Sequence, residues 1–390
     1  MIIKIAVIGA RGVPATYGGI EKHCEELYSR LVKIGCSVTL YARSFYTDKN
    51  IKEYKGINLI NFDVMNIKGF ETLYHSLIST IHATFSDVDI IHYHAQGPAI
   101  WSWIPKLFAP GKVIGFTCHG IDWKRSKWGL IARNVIKLGE LASVRFTDFK
   151  IGVSHSLAEY YERKFGINLH NVTNGVIDIP FSPLNKLKEK YGLEKDNYFL
   201  FVGRIVPEKT IETAIKAFRT INTDKKFVIV GDSANTPDYV SYLKALARND
   251  RRIIFTSYLF GKELEGIYSN AFAYISSSSL EGLPITVLEA MSCAKPIILS
   301  NIPAHREILS HDREAGLLFR TKDIHDCKRK SEYLLSLNPE EISFMSEKAK
   351  NVIVKHFNWE NISIKTFNIY NKSIIDSQKI LTLANNQDQS

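Results

Sequence analysis

Short apolar runs alternate along the chain with longer segments that carry one apolar face. Residues 4–10 (KIAVIGA) form a continuous apolar run, which is typical of a buried strand. Residues 21–34 follow as a helical segment, with Cys24, Leu27 and Leu31 on one face. Another apolar run, SVTLYA, comes directly afterwards. Strand, helix and strand in this order predict a βαβ unit and therefore a parallel sheet.

Further apolar runs predict two series of strands. The predicted strands are at residues 89–94, 113–118 and 149–153 in the first series, and 198–202, 226–230, 253–256, 271–276 and 296–300 in the second. This repeated strand–helix pattern predicts an α/β protein with two doubly wound, Rossmann-like domains facing across a cleft.

The domain boundaries follow from changes in composition. Two prolines and many charges between the two strand series indicate a connector. The predicted segments are an N-terminal domain at 1–178, a connector at 179–197, a C-terminal domain at 198–356, a last helix at 357–375 and a polar tail at 376–390. The tail is expected to be disordered from about residue 385.

Composition narrows the class of protein. A length of 390 residues suits two domains, and 45% hydrophobic with 23% charged residues is ordinary for a soluble protein. No apolar run approaches the roughly 20 residues of a membrane helix, and the first residues lack the features of a signal peptide, so we expect a cytoplasmic protein. Five scattered cysteines argue against disulfides and a zinc site. The net charge of +10 favours anionic partners.

The first motif is the glycine-rich loop at residues 9–19 (GARGVPATYGG), between a strand and a helix. Gly18 and Gly19 allow the backbone to approach a ligand closely, and the following helix N-terminus attracts an anion. The loop lacks the GxGxxG fingerprint of dinucleotide sites, and Arg43 occupies the position of the ribose-binding acid. A plain tight turn is the alternative interpretation.

The second motif, GRIVPEKT at residues 203–210, follows a predicted strand directly. Arg204 and Lys209 therefore lie at the carboxyl end of a parallel strand, where open α/β sheets bind ligands. Two cations at this position can neutralise a diphosphate. Solvated surface charges are the alternative.

The third motif spans residues 276–290 (SSSSLEGLPITVLEA), where a strand ends and a helix begins. Its carboxylates, Glu281 and Glu289, suit the paired hydroxyls of a ribose or a sugar. The backbone N–H groups at the helix start suit a phosphate, and they belong to Leu283, Ile285 and Thr286. A solvated glutamate pair is the alternative.

Together these motifs resemble the retaining glycosyltransferases of family 4, which have the two-domain GT-B fold. The resemblance covers nearly the whole chain and includes GRxxPEK, E-x7-E, the turn NGV and the segment NWE that opens the last helix. In such enzymes that helix crosses back to the first domain. RGVPATYGGIE and CHGIDWKRSKW are similar to a subgroup that builds bacterial surface polysaccharides and includes rhamnosyltransferases. Thr210 departs from the family, which usually has glycine there.

The resemblance implies a role for each matching residue of the second half. Arg204 and Lys209 would hold the donor diphosphate, Glu289 the ribose hydroxyls and Glu281 the hydroxyls of the donor sugar. Stabilising a departing diphosphate is also the main chemical requirement for cleaving a sugar–phosphate bond.

In the first half, the resemblance places Gly18 and Gly19 against the donor phosphates and His119 beside the reacting sugar carbon. His119 ends a predicted strand and precedes polar residues, which favours a site role over that of a structural histidine.

The expected activity is transfer of a hexose-type sugar, rhamnose included, with retention, from a nucleotide-diphosphate donor to a saccharide acceptor. A polyprenyl-diphosphate-linked saccharide is the expected form of the acceptor. The basic aromatic stretch at residues 123–137 is interpreted as an acceptor groove or as a patch for peripheral contact with the inner face of the membrane, with a solvated helix face as the alternative.

No cofactor, metal or nucleic acid is expected. Asp87 and Asp89 match the metal-binding DxD pattern, but they precede a buried strand and are interpreted as its solvent-exposed entry. His92 and His94 alternate on one strand face, and no third ligand is evident from the sequence.

Three other functions remain open at this point. A nucleotide-sugar epimerase shares the architecture. An oxidoreductase would use a phosphorylated nicotinamide, with Arg43 on the 2′-phosphate. A non-enzymatic nucleic-acid binder is suggested by charge alone and has no matching signature.

Overall fold

The computed structural model describes residues 2–16, 18–65, 67, 70–125, 127–233 and 236–387, the side chains at 380, 381 and 383–387 excepted. The chain divides into two compact units. The first comprises Met1–Asn174 and Trp359–Ser390, and the second Gly175–Asn358. The sequence placed the corresponding boundaries after residues 178 and 356.

The first unit contains eight strands and six helices among its described residues. The strands are β1 (Lys4–Ile8), β2 (Ser37–Arg43), β3 (Glu53–Tyr54), β4 (Ile57–Phe62), β5 (Ile90–His94), β6 (Val113–Cys118), β7 (Phe149–Gly152) and β8 (His170–Asn171). The helices are α1 (Gly19–Lys33), α2 (Phe70–Phe85), α3 (Trp103–Phe108), α4 (Leu130–Arg145), α5 (His155–Phe165) and α14 (Trp359–Gln387). The sheet order is β3-β4-β2-β1-β5-β6-β7-β8, and every pair is parallel except the β3–β4 hairpin.

The second unit contains a six-stranded parallel sheet and eight helices among its described residues. The strands are β9 (Tyr198–Val202), β10 (Lys226–Val230), β11 (Ile253–Ser257), β12 (Ala273–Ser276), β13 (Ile297–Ser300) and β14 (Gly316–Phe319). The helices are α6 (Lys186–Tyr191), α7 (Ile211–Phe218), α8 (Pro237–Ala247), α9 (Gly261–Ser269), α10 (Ile285–Ser292), α11 (Pro303–Ser310), α12 (Ile324–Ser336) and α13 (Pro339–His356). The sheet order is β11-β10-β9-β12-β13-β14.

Burial of the central strands explains why their apolar runs were readable in the sequence. Every residue of β5, β6 and β9 is buried, as expected for parallel strands covered by helices on both faces. The prediction of two doubly wound α/β units with parallel sheets is confirmed.

The last helix, α14, packs into the first unit, as predicted. Trp359, Ile362 and Tyr370 belong to that unit's hydrophobic core, and Arg30 of α1 donates to Glu360 at 2.9 Å. The predicted end at residue 375 is wrong, because the helix continues to Gln387 through most of the predicted polar tail. No proline or glycine interrupts residues 359–387, so polarity alone does not end the helix.

The predicted connector at 179–197 contains the short helix α6 and lies in the second unit. None of the described helices has the length and apolar content required to cross a bilayer.

Candidate active site

The second and third motifs follow two neighbouring central strands of the second sheet and lie at the carboxyl ends of these strands. β9 pairs with β12, with Leu200 opposite Tyr274. The chain adds β10 and β11 on one side of β9, and then β12, β13 and β14 on the other. Open α/β sheets bind ligands outside the carboxyl ends of the strands where the order reverses in this way. The structure therefore brings the GRIVPEKT and SSSSLEG loops to the expected ligand position.

Hydrogen bonds tie these two loops into one structure. The Ser279 N–H donates to the Glu208 carbonyl at 2.8 Å, and the Ser277 hydroxyl donates to the Thr210 carbonyl at 2.9 Å. Thr210 itself adopts a left-handed conformation, with φ of 39°, and its hydroxyl donates to the Ser277 carbonyl. Glycine adopts this conformation without strain, whereas threonine gains a hydrogen bond between the loops.

A glycine outside the predicted motifs shapes the same loop. A Cβ atom added to Gly231, after β10, would lie 1.8 Å from the Gly203 carbonyl oxygen. Gly231 also has a φ of 134°, so a larger residue would both strain its backbone and displace the loop that carries Arg204. Sequence reasoning missed this position.

Lys209 and Glu281 form an ion pair across the two loops. The Lys209 Nζ lies 2.5 Å from Glu281 Oε1, and the side chains are only 15% and 13% exposed. The Ser278 hydroxyl donates to the same oxygen at 2.7 Å. Burial raises the pKa of Glu281, but the Lys209 charge and the two hydrogen bonds outweigh burial, so its pKa lies below the ordinary value. Glu281 is therefore a carboxylate at neutral pH.

A buried tyrosine orients the Glu289 carboxylate through a hydrogen bond. The Tyr268 hydroxyl donates to Glu289 Oε2 at 2.9 Å, and burial together with the Glu289 charge raises the pKa of Tyr268 well above its usual value. Tyr274 stacks on Tyr268 and donates to the Thr286 hydroxyl at 2.9 Å. The two tyrosines thus fix one turn of α10, although neither was predicted from the sequence.

The other predicted donor-binding residues of the second unit lie in the two loops or at the start of α10. Arg204 follows Gly203 directly and is half-buried. Leu283 is buried. Ile285 and Thr286 are the first two residues of α10, so their N–H groups precede the intrahelical hydrogen bonds. These N–H groups have the orientation that suits an anion.

His305 is a further titratable residue beside these loops that sequence reasoning missed. Its Nδ1 donates to the Ser300 carbonyl at 2.8 Å, and the Ser300 hydroxyl donates to the Ser278 carbonyl. Burial lowers the pKa of His305 to about 4, although the charge of Glu281 opposes this effect. His305 is therefore a neutral support for the loop that carries Glu281.

In the first unit, the glycine-rich loop is held by the helix that follows it. Gly18 caps α1 with a φ of 110°, and an added Cβ atom would lie 2.0 Å from Glu21 Oε2. The Arg11 N–H donates to Glu21 Oε1 at 3.2 Å, and the Ala15 N–H donates to Glu25 Oε2 at 2.7 Å. Two N–H groups of the loop thus donate to side-chain carboxylates of α1. Gly19 is the first residue of that helix. Tyr17 lies outside the described residues.

His119 follows β6 directly and is half-buried. Its Nε2 lies 2.9 Å from His94 Nδ1, with the two rings stacked at 5.2 Å. Burial, followed by the neighbouring charges, holds the pKa of His119 well below 6.5. A neutral imidazole exchanges hydrogen bonds with hydroxyl groups but supplies no charge to a phosphate.

The hydrogen bonds continue from His94 into the core. The Tyr28 hydroxyl lies 2.6 Å from His94 Nε2 and 3.1 Å from His92 Nδ1. His92 in turn contacts the Tyr370 hydroxyl at 2.5 Å and the Thr117 hydroxyl at 2.8 Å. Because these contacts occupy both of its ring nitrogens, His92 is a structural residue rather than the partner of His94 in a ligand pair.

His23 of α1 is the fourth histidine of this region. Its ring centroid lies 4.7 Å from that of His119, and its Nδ1 lies 2.8 Å from the Asn174 side-chain oxygen. The sequence shows no third ligand for the pair of histidines on β5, and His23 lies beside His94 and His119 rather than beside that pair. His23 and His94 are distant in sequence, and the βαβ topology brings them together.

The two aspartates of the DxD sequence, which precede β5, both contact Lys4. The Lys4 N–H donates to Asp89 Oδ2 at 2.7 Å, and the Lys4 side chain forms an ion pair with Asp87.

Two protein-family models match the chain. The model described as Glycosyltransferase Family 4 matches residues 17–177, and the model described as Glycosyl transferases group 1 matches residues 185–352. The chain therefore carries both glycosyltransferase domains. These matches do not support the epimerase or the oxidoreductase.

Two of the curated relatives are named as sugar transferases of Escherichia coli. The O-antigen chain mannosyltransferase B of Escherichia coli is 26% identical over 198 residues, which cover 49% of this chain and 51% of that protein. This chain thus spans about half the length of that relative. The UDP-Gal:alpha-D-GlcNAc-diphosphoundecaprenol alpha-1,3-galactosyltransferase of Escherichia coli is 26% identical over 288 residues, covering 69% of this chain and 72% of that protein.

The fold matches solved structures over almost the whole chain. The Anabaena protein HepE in complex with UDP-glucose superposes with a TM-score of 0.79 at 16% identity, covering 95% of this chain and 100% of that chain. The fold is therefore GT-B, as predicted.

The Lys209–Glu281 pair predicts a pH dependence of stability. Because the pKa of Glu281 is lower in the folded protein, its contribution is complete above the ordinary carboxyl pKa of 4.5 and is lost as the pH falls below that value. Glu281→Gln should cost about 1.5–3 kcal/mol at neutral pH, and this cost should shrink in acid. Urea unfolding of both proteins across this range measures the difference.

The matched control is Glu263→Gln, which changes an exposed carboxylate of α9. Its unfolding midpoint should follow that of the wild type at every pH. A Glu281→Gln cost that stays constant through the acid range would contradict the ionised pair.

Proposed function

We propose that this chain is a retaining glycosyltransferase that moves a hexose from a nucleotide-diphosphate donor to a lipid-linked saccharide acceptor. The observation that carries the proposal is the pairing of Lys209 with Glu281 where the strand order of the second sheet reverses. A cation for the leaving group and a carboxylate for the sugar lie side by side there. The two glycosyltransferase domain matches support the same activity.

The donor diphosphate is assigned to Arg204, Lys209 and the start of α10. Lys209 has three N–H donors, so it can contact a phosphate oxygen while it still donates to Glu281. Arg204 is always protonated and is suited to a bidentate phosphate contact. The N–H groups of Leu283, Ile285 and Thr286 are assigned to the same phosphates, where the helix dipole adds a favourable field.

The sugar and the ribose are assigned to the two glutamates. The Lys209 and Ser278 contacts both use Glu281 Oε1, and we assign Oε2 to a hydroxyl of the donor sugar. Glu289 is assigned to the ribose hydroxyls, with Tyr268 holding its carboxylate in place. A positioned carboxylate accepts strong hydrogen bonds from such hydroxyls.

For the first unit, the proposal assigns Gly18 and Gly19 to the donor phosphates and His119 to the sugar near its reacting carbon. The low pKa of His119 supports a hydroxyl as its partner rather than a phosphate. His94 holds the ring through a 2.9 Å hydrogen bond, so His119 meets the sugar in a fixed orientation.

The proposed reaction breaks the bond between the sugar's anomeric carbon and the phosphate oxygen. The acceptor hydroxyl attacks that carbon from the face that the diphosphate leaves, and its proton passes to the departing phosphate. Retention follows because the new bond forms on the face of the old one. Lys209 and Arg204 stabilise the charge that develops on the leaving group.

The substrates are proposed from the relatives and from the sequence resemblance. The two Escherichia coli relatives are a mannosyltransferase and a galactosyltransferase, and the latter's name gives an undecaprenol-diphosphate acceptor. The subgroup resemblance adds rhamnose. We therefore propose a hexose donor of these types, a polyprenyl-diphosphate-linked saccharide acceptor and a role in bacterial surface polysaccharide biosynthesis.

We propose that a surface of the first unit contacts the membrane that carries such an acceptor. We name it the α2–α4 face, and its exposed large apolar residues are Phe70, Tyr74, Ile81 and Phe85 of α2, Trp103, Leu107 and Phe108 of α3, and Leu130, Ile131, Leu138 and Leu141 of α4. α2 packs directly against α3. The 3₁₀ turn Pro98–Trp101 contacts both α2 and α4.

The charges of the α2–α4 face favour an anionic bilayer. The cations of these helices are Lys106, Arg133, Lys137 and Arg145, and Lys106 is ion-paired with Asp148. Their carboxylates are Glu71 of α2, which lies 3.8 Å from Arg43, and Glu140 of α4, which is buried and paired with Lys164 at 2.5 Å. Apolar side chains beside such cations suit insertion at the surface of an acidic membrane. We propose peripheral binding to the inner face of the cell membrane through this surface.

The first functional prediction concerns the diphosphate cations. Arg204→Ala and Lys209→Ala should each lower turnover about tenfold or more, because a lost charge-assisted hydrogen bond costs roughly 1.5–3 kcal/mol. The control is Lys262→Ala on α9, which removes an exposed lysine. Wild-type turnover in both site variants, with unchanged circular dichroism, rules out the assignment.

The two glutamates should differ in what they bind. Glu289→Ala should weaken binding of the free nucleoside diphosphate, whereas Glu281→Ala should leave that binding nearly intact and impair transfer. Tyr268→Phe should weaken nucleotide binding less than Glu289→Ala, because it removes only the hydrogen bond that orients the carboxylate. Calorimetry that gives the reverse order would mean that the two roles are exchanged.

Transfer should not require a divalent metal. Arg204, Lys209 and the backbone dipoles of α10 are assigned the charge that a metal supplies in other transferases. Donor consumption with acceptor present should survive exhaustive chelation. If chelation abolishes transfer and magnesium or manganese restores it, the leaving-group assignment fails.

Membrane binding should depend on both parts of the α2–α4 face. Sedimentation should find the protein on vesicles with anionic lipid and leave it in solution with neutral lipid, and salt should weaken binding. Ile131→Glu, at a residue that is 84% exposed, should abolish sedimentation. Val354→Glu on α13, at 62% exposure, is the matched control and should bind normally. Equal losses in both variants would argue against this surface.

A further inference from the structure

We infer that His23, His94 and His119 form a binding site for a divalent transition-metal ion of the zinc type. One nitrogen from each ring contributes to a set whose members all lie within 4.8 Å of one another. The rings come from α1, from the end of β5 and from the residue after β6. β1 and β6 are the two neighbours of β5 in the sheet, and α1 follows β1, so the fold delivers all three imidazoles to one point.

His23 presents a nitrogen lone pair to this point. The Asn174 side-chain oxygen is an acceptor, so the Nδ1 atom of His23, 2.8 Å away, carries the ring hydrogen. Nε2 is therefore unprotonated, and this buried atom has no hydrogen-bond partner among the described residues. An unpaired buried nitrogen is costly, and a metal ion would satisfy it.

His94 is held in the same way by a second acceptor. Its Nε2 lies 2.6 Å from the Tyr28 hydroxyl, which accepts the ring N–H and can pass its own hydrogen to His92 Nδ1 at 3.1 Å. The Nδ1 of His94 then carries a lone pair towards His119. Metal-ligating histidines characteristically donate their outer N–H to such an acceptor, which fixes the tautomer and the ring orientation.

His119 completes the set by a change of tautomer. Its Nε2 lies in hydrogen-bond contact with His94 Nδ1 at 2.9 Å. Moving the Nε2 hydrogen to Nδ1 leaves three neutral imidazole lone pairs facing one another, and no proton is lost from the site. Zinc–nitrogen bonds of about 2.0–2.1 Å in tetrahedral geometry place the nitrogens roughly 3.3 Å apart. The ring nitrogens, which lie within 4.8 Å of one another, must therefore move closer together when the ion binds. The fourth position stays open to water or to a ligand oxygen.

The ion would compete with the proposed catalytic role of His119, a consequence that rests on the proposed function. His119 bound through Nε2 loses the hydrogen bond to His94 that orients its ring toward the sugar. Zinc should therefore inhibit transfer, and a chelator should relieve the inhibition. This site differs from a leaving-group metal, whose removal would stop the reaction.

Metal binding is tested without any enzyme assay. Full-length protein freed of metal by chelation and dialysis is titrated with Co²⁺ and followed by visible absorption, and then with Zn²⁺ by calorimetry. We expect one ion per chain with the absorption of four-coordinate Co²⁺. His23→Gln should weaken Zn²⁺ binding at least tenfold, and Asn174→Ala should weaken it about 10- to 100-fold through loss of the outer hydrogen bond.

The control is His311→Gln, because His311 stacks on His356 at 4.0 Å and offers a second place for adventitious zinc. This variant should bind like the wild type. Binding that survives His23→Gln and is lost in His311→Gln would overturn the proposal, as would an absorption spectrum of six-coordinate Co²⁺. If the variants fail to fold, X-ray absorption of the zinc-bound wild type decides, since three imidazoles are expected and fewer contradict the site.

The activity measurement is separate. Zinc that binds at the three histidines without slowing transfer would overturn the inhibitory role. Absence of transfer under all conditions would count against the proposed function, while the Co²⁺ titration would still decide the metal site.

Discussion

The ion pair between Lys209 and Glu281 is the interaction on which the donor side depends. It joins the loops that follow β9 and β12, and hydrogen bonds donated between the loops by the Ser279 N–H and the Thr210 hydroxyl support it. The Lys209 charge and the hydrogen bonds to Glu281 outweigh the effect of burial and keep the pKa of this half-buried carboxyl below its ordinary value. The proposed chemistry uses these charges without rearrangement, since we assign the cation to the leaving group and the carboxylate to the sugar. Preorganised charge of this kind stabilises a transition state at little reorganisation cost.

In the first unit, the residues of the proposed site are neutral side chains rather than charged ones. His119, His94 and His23 are buried enough to hold their pKa values below the ordinary 6.5, and hydrogen bonds rather than charges set their orientation. The same property explains the two roles proposed for this cluster. A neutral imidazole with a fixed tautomer can orient a sugar hydroxyl, and three of them with converging lone pairs can hold a metal ion. The proposed inhibition by zinc follows because both roles need His119.

The fold was predictable where burial leaves a strong pattern in the sequence. Strands such as β6 and β9 are apolar at nearly every position, so their bounds were found directly, whereas the two-residue strands β3 and β8 leave no such pattern. The end of α14 was missed because its last turns are polar, and polarity alone does not end a helix.

Part of the candidate site was predictable in the same way. The motifs that contain Lys209 and Glu281 were found from their positions after strands, but their direct contact was not, since it depends on which strands are neighbours. His23 and Asn174 are linked across 151 positions, and no local pattern records that contact.

The activity proposed for this chain is transfer of a sugar to an acceptor. The most direct measurement incubates the protein with a panel of nucleotide-diphosphate hexoses and polyprenyl-diphosphate-linked saccharide, and follows acceptor and donor by mass spectrometry. We expect that one donor loses its sugar only when acceptor is present, and that the acceptor gains the mass of one hexose residue. Conversion of a donor without acceptor, or no gain of mass on the acceptor with any donor of the panel, would rule out the proposed transfer.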